Sequence, residues 1–185
     1  PYVPEKEFWI DQEAGHDERM FFIDHLLVEH DLMSRGTPYE KALVEADRIE
    51  RRERRRAGDV AKTTHHGQQL PDAHSVHEHL WKRLEDGVYV WIVNGRLVRS
   101  VFDIDFTAGG HDHVYEFVPE KEVWIDDAIT EKERGFVLLH ELHERNQMAD
   151  GMTYSQAHAE SSRLEFHCRH HPDELHDALT AEGWA

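Results

Sequence analysis

Residues 136–145 read Phe-Val-Leu-Leu-His-Glu-Leu-His-Glu-Arg, an apolar run that passes directly into histidine and glutamate. On a helix, side chains four residues apart lie on one face, with their Cβ atoms roughly 5–6 Å apart. His140 and Glu144 have this spacing, so they could bind one metal ion together, with Glu141 beside them. The stretch therefore indicates a helix for metal-assisted hydrolysis. A surface helix that is simply rich in His and Glu would have the same pattern.

The region around this helix is one half of an internal repeat. Shifting residues 3–50 by 115 positions places them on residues 118–165 without a gap, and 21 of the 48 aligned pairs are identical. The sequence Val-Pro-Glu-Lys-Glu, for example, occurs at 3–7 and again at 118–122. Such a match is typical of a duplication. We predict that each copy is a strand followed by two helices.

The second copy has clear boundary signals. Its strand is predicted at 123–125, where Val-Trp-Ile is aromatic and β-branched. The sequence Thr-Glu-Lys-Glu at 130–133 is a capping box, and it predicts a helix over 131–149 that ends before Gly151. The sequence Thr-Tyr-Ser-Gln at 153–156 predicts the start of a second helix.

The first copy matches this plan. Its strand is predicted at 8–10 and its first helix over 17–35, before Gly36. The second helix is predicted to begin within 37–40, where Pro38 suits the first helical position.

The residues between the copies predict further elements. Residues 57–70 have little periodicity and indicate a linker, and a helix is expected over 71–86. Two strand-like runs follow, at 88–93 and 96–102, and Asn-Gly at 94–95 joins them. Since Asn-Gly is a strong hairpin signal, we expect a β-hairpin in front of the second copy.

The loop at 103–113 contains two consecutive glycines flanked by Asp and His. Consecutive glycines permit tight turns of the backbone. The flanking side chains could contact a metal or a substrate, although a polar loop with a turn explains them equally.

The repeat allows the metal hypothesis to be tested within one chain. His140 and Glu144 are matched in the first copy by His25 and Glu29, whereas Glu141 is matched by an apolar residue, Leu26. The first copy therefore keeps the proposed ligand pair and lacks the proposed base.

A third ligand is predicted on the second helix. His158 is matched by Leu43 in the first copy, and an apolar residue there implies that this position points inward, toward the first helix. His140, Glu144 and His158 would form a His₂Glu set, which is found in catalytic zinc sites. A partly buried histidine with a hydrogen-bonded neighbour is the alternative for His158.

Three further roles follow from this site. Glu141 would act as the general base. His143 could stabilise charge on a substrate, but we expect it to face solvent. Glu165 is either a substitute third ligand or a hydrogen-bond acceptor for a ligand histidine. As a ligand, it would suit a carboxylate-rich site for iron or manganese instead of zinc.

On these residues the second copy resembles the zincin-like metallopeptidases, especially small ones of the ImmA/IrrE type. In that family a strand precedes a capped helix with the motif His-Glu-x-x-His, and the next helix supplies a third ligand. The resemblance implies that His140 is the first ligand, Glu141 is the base and Glu144 takes the place of the second histidine. The chain also resembles small bacterial and phage proteins with a similar Leu-His-Glu-Leu-His-Glu helix, from which no function follows.

Composition excludes some classes of function. The net charge of −17 disfavours nucleic acid as a partner, because phosphate binding needs basic surface. The apolar runs are too short to span a bilayer, so no membrane association is expected. Cys168 is the only cysteine, which is consistent with a reducing compartment and a cytoplasmic protein. The 17 histidines favour a metal without assigning a ligand.

Together these observations predict an α+β protein. Residues 1–56 would be a degenerate first repeat, residues 57–70 a linker, and residues 71–185 a zincin-like second repeat with an N-terminal helix and a hairpin. The two repeats would pack on each other, and the protein could form a homo-oligomer. The leading hypothesis is a zinc-dependent hydrolase of peptide or protein substrates, and the alternative is a non-catalytic metal-binding, structural or interaction protein.

Overall fold

A computed structural model describes residues 3–12, 14–58 and 72–184. The fold is α+β, as predicted. The chain divides into two compact units. Unit one comprises Pro1–Pro71 and Arg96–Ile104, and unit two comprises Asp72–Gly95 and Asp105–Ala185.

Unit two contains a four-stranded mixed sheet. Its strands are β1 (His77–Arg83), β2 (Tyr89–Val93), β3 (Gly109–His111) and β4 (Glu122–Asp126), in the order β1-β2-β4-β3. Strands β2 and β4 are parallel, and the other two pairs are antiparallel. All five residues of β4 are buried, because this strand is central in the sheet and has covered faces.

Three helices of unit two follow the sheet along the chain. The two long ones, α4 (Glu131–Ala149) and α5 (Tyr154–His170), pack on each other, and α6 (Leu175–Ala181) packs on α4. Helix α4 also packs on β3 and β4. The core between α4 and the sheet is made of aliphatic and aromatic side chains, among them Val90, Ile92, Val123, Ile125, Phe136, Leu138, Leu139 and Leu142.

The helix boundaries of the second copy agree with the sequence prediction. Helix α4 has the predicted bounds, with Thr130 as its N-cap residue. At the start of α5, the backbone N–H of Thr153 donates to Gln156 Oε1 over 3.3 Å, as in a capping box. Gly151 has a φ of 97°, a left-handed conformation that favours glycine at the end of a helix.

The hairpin prediction at Asn94-Gly95 is wrong. These residues lead into a helix, α3 (Gly95–Val101), so residues 96–101 are helical and not a strand. Gly95 does not have a positive φ, whereas a type I′ turn needs positive φ at both central residues. A Cβ at Gly95 would lie 2.1 Å from the Asp126 carboxyl group, so glycine is required by close packing instead of by a turn.

The helix predicted over 71–86 is also wrong. A 3₁₀ turn (Ala73–Val76) leads into β1, which forms the actual hairpin with β2. The connecting turn contains Gly87 at a φ of 88°. Strand β1 is an edge strand with exposed polar residues and irregular register, and its charged sequence fits an edge that is protected from further pairing.

In the described part of unit one there are helices and no strand. Helices α1 (Arg19–Ser34) and α2 (Tyr39–Arg56) pack on each other, and they match residues 134–149 and 154–171 in the repeat. The strand predicted at 8–10 is absent. Trp9 is 58% exposed, whereas its counterpart Trp124 is fully buried in β4. A strand needs hydrogen-bonding neighbours, and none of the described residues of unit one supplies them.

Two further sequence predictions concern the linker and membrane-spanning helices. The linker predicted at 57–70 lies outside the described residues from position 59 onward. No helix in the described ranges combines the length and the apolar character that a membrane span requires.

Candidate metal centre

Helices α4 and α5 bring the three predicted ligands together in unit two. His140 and Glu144 lie one turn apart on α4, and His158 faces them from the first half of α5. Each residue offers one donor atom, and the three atoms lie within 4.8 Å of one another. Glu144 is 3% exposed, so its carboxylate needs polar partners at this position.

The spacing of the donor atoms fits a shared ion. His140 Nε2 lies 3.2 Å from His158 Nδ1 and 3.5 Å from Glu144 Oε2. Glu144 Oε2 and His158 Nδ1 are 2.7 Å apart. Ligand atoms of a tetrahedral zinc ion, with bonds of roughly 2.0–2.1 Å, are separated by about 3.3 Å. Two of the three separations agree closely with this value, and the third is a hydrogen bond that would lengthen.

His140 is oriented by a carboxylate on α5. Its Nδ1 donates to Glu165 Oε2 over 2.8 Å. Burial disfavours the charged ring, but hydrogen bonds to Glu144 and Glu165 raise the pKa of His140 to about 10, so a metal at Nε2 would displace a proton. Glu165 Oε1 accepts from Arg169 Nε over 2.9 Å. Both oxygens of Glu165 are therefore engaged, and the residue acts as a hydrogen-bond acceptor for His140.

Glu144 is oriented by a histidine from the sheet. His111 on β3 is completely buried, and its Nε2 lies 3.1 Å from Glu144 Oε1. The backbone N–H of His113 donates to His111 Nδ1 over 3.2 Å. Since Nδ1 accepts, the proton of the ring is on Nε2, which donates to Glu144. This contact leaves Glu144 Oε2 to face His140 and His158.

The tautomer of His111 distinguishes between two groups of potential metal ligands that share Glu144. His111, Glu141 and Glu144 also place donor atoms within 4.8 Å of one another. A metal at that group would need a bare Nε2 on His111, but the hydrogen bond from His113 fixes the proton there. Of the two groups, His140, Glu144 and His158 therefore have the donor atoms better suited to a metal ion. The sequence indicated that a His in the 103–113 loop could contact the site, but it did not give His111 this role.

Glu141 lies beside the three ligands and packs on β3. A Cβ at Gly109 would lie 3.0 Å from Glu141 Cγ, so the absence of a side chain at Gly109 makes room for Glu141. Within the described ranges, no residue donates a hydrogen bond to its carboxylate. The carboxylate is thus free to accept a proton or to hold a water molecule.

The electrostatics of the centre differ strongly between the two glutamates. Burial raises the pKa of Glu141 to about 8, with a contribution from the nearby Glu144 charge, although His140 acts in the opposite direction. Burial also disfavours ionised Glu144, but hydrogen bonds from three histidines outweigh it and lower the pKa of Glu144 to about 2. Glu144 is therefore an anion at neutral pH, as a ligand must be.

The expectation that His143 faces solvent is wrong. Its Nδ1 lies 2.7 Å from Glu182 Oε1, and Gln147 Nε2 lies 2.7 Å from its other ring nitrogen. Asn146 donates to the second oxygen of Glu182. His143 thus ties α4 to the residue after α6, and it has a structural role away from the three ligands.

The support of His140 belongs to a longer row of charged side chains, which we call the polar chain of unit two. It runs from His140 through Glu165 and Arg169 to Glu133. The guanidinium of Arg169 also lies 4.9 Å above the ring of Phe136, a cation–π contact.

Unit one contains the same polar chain at the matching positions. His25 Nδ1 lies 2.9 Å from Glu50 Oε2, and Arg54 Nε donates to Glu50 Oε1 over 2.8 Å. Arg54 also contacts Glu18 over 2.6 Å and lies 4.7 Å above the ring of Phe21. Every link therefore recurs between matching residues, 115 positions earlier in the sequence.

The two units differ at the ligands. In unit one, His25 Nε2 lies 3.6 Å from Glu29 Oε2, which is close to the 3.5 Å between the matching atoms of unit two. Leu43 occupies the position of His158, and Leu26 occupies that of Glu141. Among the described residues, no group of potential metal ligands was found in unit one. A search with the chain found no matching family model, curated protein or solved structure.

Proposed function

We propose that the protein is a zinc-dependent hydrolase that acts on peptide bonds, with His140, Glu144 and His158 as ligands. The observation that carries the proposal is the convergence of three donor atoms of the His₂Glu type, the set used by catalytic zinc enzymes. Bound zinc would supply Lewis-acid chemistry, acidifying water and polarising a carbonyl group.

The residues around the ligands support catalysis over simple metal storage. Three protein ligands leave room for a water molecule in a tetrahedral site. Glu141 offers a carboxylate with no hydrogen-bond donor among the described residues, and it lies within 4.8 Å of Glu144 at the nearest ligand atoms. The positive charge of a bound ion would lower the raised pKa of Glu141, so its ionised carboxylate would accept the proton of the attacking water and pass it to the leaving amine.

The order of elements supports a zincin-like unit. A buried strand, β4, precedes the helix with the first two ligands, and the next helix supplies the third. The sequence departs from the usual zincin motif because Glu144 replaces the second histidine. The hydrogen bond from His111 gives this glutamate a fixed orientation, so the replacement does not loosen the site.

The contacts of Glu165 disfavour a carboxylate-rich site for iron or manganese. Carboxylate-rich sites for those metals would need Glu165 as a ligand, but His140 and Arg169 occupy its two oxygens. Two imidazoles and one carboxylate suit zinc, and iron(II) accepts the same set, so elemental analysis of the bound ion distinguishes these two metals.

The duplication also supports a structural role for the protein. We propose that the two units arose from one ancestral unit, since the polar chain recurs link by link. Unit one keeps this chain without a base and without a third ligand. A non-catalytic role, with the polar chain as a brace between two helices, is therefore the second candidate function.

Hydrolysis of labelled casein and of a quenched-peptide library tests the proposal. We expect the zinc-loaded protein to cleave peptide bonds, a chelator to abolish cleavage and added zinc to restore it. His140→Ala should be inactive, whereas His143→Ala should be active, because His143 is on the same helix but contacts Glu182. A zinc-loaded protein that cleaves none of these substrates would contradict the peptidase assignment and favour the second candidate.

A further inference from the structure

A second group of two histidines and one glutamate lies away from the candidate metal centre. His74, His77 and Glu122 each offer one donor atom, and these atoms lie within 4.8 Å of one another. His74 is in the 3₁₀ turn, His77 begins β1 and Glu122 begins β4. The group shares no residue with the first centre but has the same donor types.

Two of the three side chains are held in place. The ring of His77 stacks on Trp91, with centroids 4.1 Å apart and planes 10° apart, and its Nε2 lies 3.0 Å from Glu122 Oε2. Trp124 Nε1 donates to the same oxygen over 2.8 Å. Glu122 is only 7% exposed. Because packing already orders both side chains, binding an ion would cost little conformational entropy in them.

The third side chain is accessible from solvent. His74 is exposed, and within the described ranges its ring has no hydrogen-bond partner. Its position is nevertheless defined, since its backbone N–H donates to Asp72 Oδ1 over 3.0 Å and its ring lies 5.3 Å from that of His77. An open imidazole next to two fixed donors leaves a route for an ion to enter.

The environment of Glu122 also leaves one carboxylate oxygen available for an ion. Both hydrogen bonds to its carboxylate involve Oε2, and none in the described ranges involves Oε1. Glu122 could therefore bind an ion through Oε1 and keep the bond from Trp124. Oε1 is not among the buried side-chain atoms that lack a partner, so solvent, and therefore an ion, can reach it.

We propose that His74, His77 and Glu122 form a second site for a divalent transition metal, with a structural role. Two imidazoles select zinc, nickel or copper over magnesium and calcium, which prefer oxygen ligands. The ion would join the 3₁₀ turn and the edge strand β1 to the central strand β4. Affinity should be lower than at the first centre, because no second side chain orients His74.

Zinc stoichiometry of the full chain at micromolar free zinc tests this site, with equilibrium dialysis and elemental analysis. We expect His74→Ala to bind one zinc ion fewer per chain than wild type. The matched control is His79→Ala, which removes an exposed histidine from β1 outside the group and should leave the stoichiometry unchanged.

Two further variants keep this test separate from the first centre. His158→Ala should lose one ion through the first centre alone, and the double variant with His74→Ala should lose both. Since His74 is exposed, its substitution should not disturb folding, which circular dichroism would check. Equal stoichiometry of His74→Ala and His79→Ala would overturn the second site, whatever the result for His158→Ala.

Discussion

Glu141→Gln should keep its zinc and lose activity by a factor of about 10²–10⁴ in kcat, which is the usual contribution of a general base. Glutamine fills the same space beside Gly109 but cannot take a proton from water. Because the substitution leaves all three ligands intact, KM should change little. The measurement is kcat and KM on a peptide that the wild-type protein cleaves, together with zinc content.

The matched control for this prediction is Glu131→Gln. Glu131 is an exposed glutamate in the first turn of the same helix, far along α4 from the ligands. It should retain wild-type kcat. If Glu141→Gln also retains wild-type kcat with full zinc content, Glu141 is not the base.

Leu43→His should give unit one a metal site of its own. The position matches His158, and the matching histidine and glutamate, His25 and Glu29, already have a separation of 3.6 Å. Glu50 orients His25 as Glu165 orients His140. A third ligand is thus the missing part, and its addition should raise the zinc content of the purified chain by about one ion.

Val44→His is the control for this gain. Val44 neighbours Leu43 on α2 but is 67% exposed, so a histidine there should face solvent and add no tightly bound zinc. Folding of both variants would be compared by thermal unfolding. A folded Leu43→His protein with the zinc content of wild type would contradict the proposed equivalence of the two units at this position.

The helices could be predicted from sequence because their signals are local. The capping residues and Gly151 define the ends of α4 and the start of α5. Such signals depend on neighbours within one turn, so no tertiary contact is needed to interpret them.

The strands could not be predicted as well, because their partners are distant in the sequence. Gly95 is required by its contact with Asp126, 31 positions away, and not by the hairpin that Asn-Gly usually indicates. Residues 96–101 form a helix although their apolar run suits a strand equally, an ambiguity that short runs always carry. Residues 8–10 have the composition of a strand, but the described part of unit one gives them no partner.

The candidate site was predictable where the repeat provided a comparison. His158 was identified because Leu43 matches it, and the structure brings it next to His140 and Glu144. His111 could not be assigned a role in the same way, because its contact with Glu144 depends on the pairing of β3 with β4. The hydrogen bond between His111 and the Glu144 carboxylate can be identified only from the fold.

Metal content of the purified, untagged protein tests the central claim most directly. Elemental analysis should find zinc bound to the wild-type chain, and the ion of this centre, one per chain, should be lost in both His140→Ala and His158→Ala. His143→Ala should retain it, because His143 is bonded to Glu182 and lies outside the donor group. Folded His140→Ala and His158→Ala with as much zinc per chain as wild type, or a wild-type chain without zinc even after incubation with zinc, would contradict the assignment of these ligands.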